Sequence, residues 1–153
     1  MKNYLFALLI FFTATALAQT DTRIYDIIQK VSAKNIEADI TTLANFGTRN
    51  TFSDTLSSTR GIGAARRWIK AQFDQISLNC EECLEVFYQK DLVKAASSNR
   101  VPRDTWVVNV VAIQKSKTGS NEYIIMSGDI DSRNSDGSDF IKDAPGANDN
   151  ASG

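Results

Sequence analysis

"TWVVNVVAIQKSKTGSNEYIIMSGDIDS", residues 105–132, decides how the chain is read. In "TWVVNVVAIQK" both alternating sets of positions are largely apolar, the pattern of a strand covered on both faces and hence central in a sheet. "SKTGSNE" supplies turn residues, and "YIIMSG" (123–128) predicts a second buried strand. That strand ends in Gly128 and delivers Asp129 and Asp131 into a loop. Carboxylates are thereby expected at the carboxyl edge of a sheet, where ligand sites of open α/β folds gather.

Upstream of this stretch the periodicity turns helical. "DTRIYDIIQKVS" sets Ile24, Ile27, Ile28 and Val31 on one face, with Asp21 or Thr22 as the cap. A second helix is expected from Ser32, carrying Ile36, Ile40 and Leu43, and Gly47 marks its exit into the polar loop "TRNTFSDTLSSTRG". The strongest helical pattern is "TRGIGAARRWIKAQFDQIS". Ile62, Ala65, Ile69, Phe73 and Ile76 recur at steps of three and four, Arg66, Arg67 and Lys70 stay outside, and Thr59 is the expected cap. Its "GIGAAR" begins like a dinucleotide-binding glycine loop, but an arginine stands at the third glycine and no strand precedes it, so a closely packed helix start is expected instead. "CLEVFYQK" alternates as a strand and "SSNRVPRD" connects it onward. Helices followed by buried strands predict a layered α/β domain in which helices cover a sheet.

At 153 residues the chain has room for one domain of ordinary size. Residues 1–18 read as a secretory signal peptide: a lysine near the start, an apolar run from Tyr4 to Phe12, and Ala16-Leu17-Ala18 as a small-x-small cleavage site. The run is too short to span ~30 Å of hydrocarbon. The product is therefore expected to be exported, periplasmic or extracellular, and free of the membrane after signal removal. With 17 basic against 18 acidic side chains there is no electrostatic footprint for nucleic acid.

The two cysteines, Cys80 and Cys83, stand in "NCEECLEV". In an exported protein such a pair is a disulfide candidate closing a tight local loop, which stabilises little. A redox pair would need a helix start after the first cysteine, and a zinc knuckle would need two further ligands in a chain that contains no histidine.

Asp129 and Asp131 are two apart, so in extended backbone they point to one side, with Ile130 buried opposite. Two carboxylates so placed repel unless a cation or proton lies between them, and a divalent metal with oxygen ligands is the natural partner. Eighteen residues past Asp131 comes Asp149, in "DAPGANDNASG", where Pro145 and Gly146 force a turn able to bring it back beside Asp129. The plain alternative is turn chemistry: "SRNSDGSD" suits a solvent loop, and "NSDGSD" lacks the oxygen spacing and closing glutamate of a calcium loop. On this reading Asp136 and Asp139 are solvent loop.

"GDIDS" followed by "APGANDNASG" resembles the paired signature of the M28 family of zinc aminopeptidases, Gly-His-x-Asp-Ser and then Pro-Gly-Ala-x-Asp-x-x-Ser-Gly. "NVVAIQ", "YIIMSG", "GTRN" and "STRGIGAARRWI" are similar to the segments that lead into that site, and the likeness, which extends to exported bacterial members, covers about residues 25 to 153. The resemblance implies an α/β fold of phosphorylase/hydrolase-like type, a mixed β-sheet flanked by helices, incomplete in this chain. It implies two adjacent zinc ions and peptide substrates cleaved from the N-terminus. Asp149 matches the aspartate that bridges both metals, and Asp131 matches the carboxylate that orients the first histidine ligand. Asp129 stands where the family has that histidine. A carboxylate oxygen binds zinc at ~2.0–2.2 Å, so Asp129 is a candidate ligand; either ligation is altered or one metal position is lost.

The family's glutamate general base, the adjacent glutamate ligand, a further aspartate and a final histidine would all follow Gly153. The expectation is thus an N-terminal part of a metallopeptidase, inactive by itself. Two alternatives accompany it: a noncatalytic binding protein on the same fold, and a glutaminyl cyclase-like enzyme with a single zinc.

Overall fold

The computed structural model describes residues 21–152, and the signal peptide expected at 1–18 lies outside the described residues. The chain divides into two units, one up to Asn35 and one from Ile36 onward. In the first, α1 (Thr22–Gln29) starts at Asp21, whose carboxylate accepts the Arg23 N–H as an N-cap. Its expected apolar face, Ile24, Ile27, Ile28 and Val31, is exposed. α2 (Ala33–Asn45) follows, with the Ser32 hydroxyl accepting the Asn35 N–H, and Gly47 ends its exit turn at φ +75°.

In the second unit α3 (Gly61–Asn79) carries the core. Leu43 of α2 meets Ala65 of α3 and Ala151, with Ile40, Phe46, Trp68 and Ile69 packed around them. Thr59 does not cap α3. The Ser53 hydroxyl accepts the Ile62 N–H at 2.9 Å and the Asp54 carbonyl accepts the Gly63 N–H at 3.1 Å, so a loop nearby in space satisfies donors that the helix start leaves free. This closeness explains "GIG": a Cβ at Gly63 would lie 2.2 Å from the Thr55 carbonyl oxygen. Two side chains of α3 reverse their expected sides. Arg66 is buried because all of residues 61–66 are covered, and Ile76 is exposed because burial towards the C-terminal end is confined to Ser77.

α3 ends in the Cys80–Cys83 loop, in which the two sulfurs are bonded and the Cα atoms are 5.4 Å apart. Ser77 joins the helix end to the next strand by donating to the Leu84 carbonyl and accepting the Leu84 N–H. β1 (Leu84–Val93) and β2 (Thr105–Gln114) form an antiparallel pair running in register from Leu84↔Gln114 to Val93↔Thr105, and α3 packs against both.

The described residues therefore form a small mixture of three helices and a two-stranded antiparallel sheet, and the mixed sheet expected does not form among them. β2 forms where expected but is not central: β1 is its only partner among the described residues, and Trp106 is 56% exposed. The strand expected at 123–128 is absent. Residues 121–134 have no regular structure, and Ile124 and Met126 are 95% and 91% exposed. A doubly apolar strand holds only when a hydrogen-bonded ladder and covering elements are both present, and neither reaches this stretch among the described residues. No helix among the described residues is long and apolar enough to cross a membrane.

Candidate metal centre

Three short segments build the region that holds the candidate ligands: residues 47–50, 130–132 and 144–151. Gly47 accepts the Ala144 N–H at 2.8 Å, and Thr48 and Ala144 form an isolated parallel bridge. The Ser132 hydroxyl links all three segments, accepting the Arg49 N–H at 2.9 Å and donating to the Ala144 carbonyl at 2.6 Å. Ser132 is buried, whereas Asp129 and Asp131 on either side of Ile130 are exposed.

Arg49 is 0% exposed. Its Nε donates to the Ile130 carbonyl at 2.7 Å, Nη1 to the carbonyls of Leu43 and Pro145 at 2.7 Å each, and Nη2 to that of Gly146 at 2.9 Å. Burial lowers the readiness of this guanidinium to hold its proton, and the charge of Asp131 opposes that effect. Ile130 is half-buried, and its carbonyl is tied down between the two candidate aspartates.

The Asp149 segment is held at both ends. Before it, the Gly146 carbonyl accepts both the Arg49 bond and the Ala151 N–H; after it, Ala151 is a core residue against Leu43 and Ala65. Gly146 has φ +50°, and a Cβ there would lie 2.4 Å from the Asp149 carbonyl and 2.6 Å from Ser132 Cβ. The two acidic segments thus touch across this glycine, with the Asp149 side chain left exposed.

The residues between them are accounted for by turn chemistry. Asn134 Oδ1 accepts the Asp136 N–H, Asp136 accepts the Ser138 N–H and hydroxyl, and Asp139 Oδ1 accepts the N–H groups of Ile141 and Lys142. These three side-chain turns in succession leave Asp136 exposed and Asp139 half-buried. Beside them Arg60 donates to the Ile141 carbonyl and pairs with Asp143 at 2.6 Å. Arg103 lies over the rings of Phe52 and Phe140, which meet at a tilt of 44°.

Carboxylate oxygens suit zinc by type. By number they fall short: no group of three His, Cys, Asp or Glu able to hold a metal assembles among the described residues. Asp129 and Asp149 therefore join no such group among the described residues, and no step of chemistry is complete on them.

Comparison with known proteins gives the functional context. A probable zinc metalloprotease of Leptosphaeria maculans is 42% identical over 133 residues, which is 87% of this chain. The chain is similar to probable zinc metalloproteases. Two others so named, from Pyrenophora teres f. teres and Pyrenophora tritici-repentis, are 41% and 39% identical over the same share of the chain. The chain spans 30% of the length of the Leptosphaeria relative and 27% of each Pyrenophora one. No family model matches the chain, and no solved structure does.

Arg49 and Ser132 were not among the sequence-derived site residues. A single arginine in a polar loop looks like a solvated side chain, and Ser132 looks like one more turn residue. Two signals pointed to Arg49: "GTRN" begins with the glycine of the exit turn after α2, and it is one of the segments that carry the family resemblance.

Proposed function

We propose that the protein is an exported zinc metallopeptidase of the M28 aminopeptidase type, with Asp149 as the bridging ligand, Asp129 as a ligand in the histidine's place and Asp131 as the group that orients its neighbour. The observation that carries this reading is the apposition of "GDIDS" and "APGAND" across Gly146, which brings the two acidic segments together as one site requires. The names of the similar proteins support it. When bound, zinc supplies a polarised scissile carbonyl and a water activated near neutral pH. This chain's own part is to hold the backbones of the two carboxylate-bearing segments against each other. The general base and the remaining ligands are assigned to none of the described residues.

A second reading, a noncatalytic protein that uses the fold for binding, is favoured by Asp129 itself, because an anion in place of imidazole lowers the Lewis acidity of a bound metal. The full-length protein separates the two. Metal content by mass spectrometry and aminoacyl-anilide hydrolysis are measured for wild type, Asp149→Ala and Asp129→His. Asp149→Ala is expected to lose metal and activity together, and unchanged values would sink the site assignment. Wild-type zinc without hydrolysis of any anilide, gained on Asp129→His, would favour the binding protein.

A further inference from the structure

We propose that Arg49 is the positioning residue of this site, a buried guanidinium that sets the Asp129–Asp131 segment against the Asp149 turn, with Ser132 as its brace. The proposal rests on the reading of Asp129 and Asp149 as metal ligands. Four of the five N–H donors of Arg49 are spent on backbone carbonyls, and three of those carbonyls belong to the two acidic segments: Ile130, Pro145 and Gly146. The fourth, Leu43, belongs to α2 and the core. The planar fork therefore ties both segments to one rigid support, and a displacement of the fork displaces both.

Stability alone does not call for this arrangement. A charged group buried without an ion pair carries a large desolvation penalty, and an apolar side chain of similar volume commonly stabilises as well or better. Only a planar group with donors in several directions can hold carbonyls from three segments at once, and lysine, a point donor, cannot span them. Ser132 works at the same junction through the Arg49 backbone N–H and the Ala144 carbonyl. Groups that orient ligands in this way tune metal affinity without touching the metal.

The test uses the full-length protein as wild type, Arg49→Lys, Ser132→Ala and Asp149→Ala. Zinc affinity is read by competition with a chromophoric chelator, ligand geometry by the visible bands of the cobalt(II)-loaded protein, and folding by circular dichroism. Arg49→Lys is expected to weaken zinc about 10- to 100-fold and to shift the cobalt bands while the far-ultraviolet spectrum stays wild type; Ser132→Ala is expected to lose about 10-fold. Wild-type zinc affinity and cobalt bands in folded Arg49→Lys overturn the proposal. Where that variant does not fold, Ser132→Ala decides by the same two readouts. Asp149→Ala isolates the underlying reading: undiminished zinc binding there removes the metal site itself. Lost binding there, with wild-type behaviour of the Arg49 and Ser132 variants, removes only the positioning role.

Discussion

Gly146 is the residue on which the acidic segments converge. At φ +50° a side chain meets the left-handed penalty of roughly 1–2 kcal/mol. Here a methyl would also collide with the Asp149 carbonyl and with Ser132, so both acidic segments would have to part. Gly146→Ala is expected to destabilise the protein by about 2–3 kcal/mol, read as a lowered denaturant midpoint at unchanged slope. A midpoint within error of wild type would mean that the segments do not meet there. The requirement for glycine at this position is visible in the sequence only as a Pro-Gly turn; that Ser132 crowds it is not.

Among the elements, the loop 134–142 shows how much turn chemistry can look like a metal site. Asp139 accepts the N–H groups of Lys142 and Ile141, and these bonds hold its carboxyl below the usual carboxylate range. A depressed folded value means that the stabilisation is present above the unfolded value of about 3.9 and disappears as pH falls through the lower folded value. Carbon-13 titration of the Asp139 carboxyl is expected to show a midpoint below that of an unstructured peptide of the same sequence, with the Ile141 and Lys142 amide shifts moving in step. Equal midpoints would show that the turns do not form. α1, β1 and the N-terminal half of α3 were legible because a period of 3.6 or 2 and a cap are local signals. The cap of α3 was not, since Ser53 lies nine residues before Ile62 and reaches it only through the folded loop.

For the whole molecule, the run from Tyr123 to Met126 leaves four large apolar side chains almost fully in solvent. A contiguous apolar segment with unpaired backbone groups is a site for association. Residues 19–153 are therefore expected to brighten a hydrophobic dye and to sediment above monomer mass, and Ile124→Lys with Met126→Lys is expected to reduce both effects. A monomeric species that leaves the dye dark, and melts cooperatively, would contradict this.

The helices, the two strands that "CLEVFYQK" and "TWVVNVVAIQ" supply, and the grouping of acidic residues with small turn formers around 129–149 were legible in the sequence, because these depend on neighbours a few residues away; that the two strands pair antiparallel with each other was not. The sequence could not determine whether "YIIMSG" is a strand, since a strand exists only with a partner. Nor could it show that Arg49 is buried. That depends on carbonyls from residues 43, 130, 145 and 146 converging on one point, and only tertiary structure brings together groups so far apart along the chain.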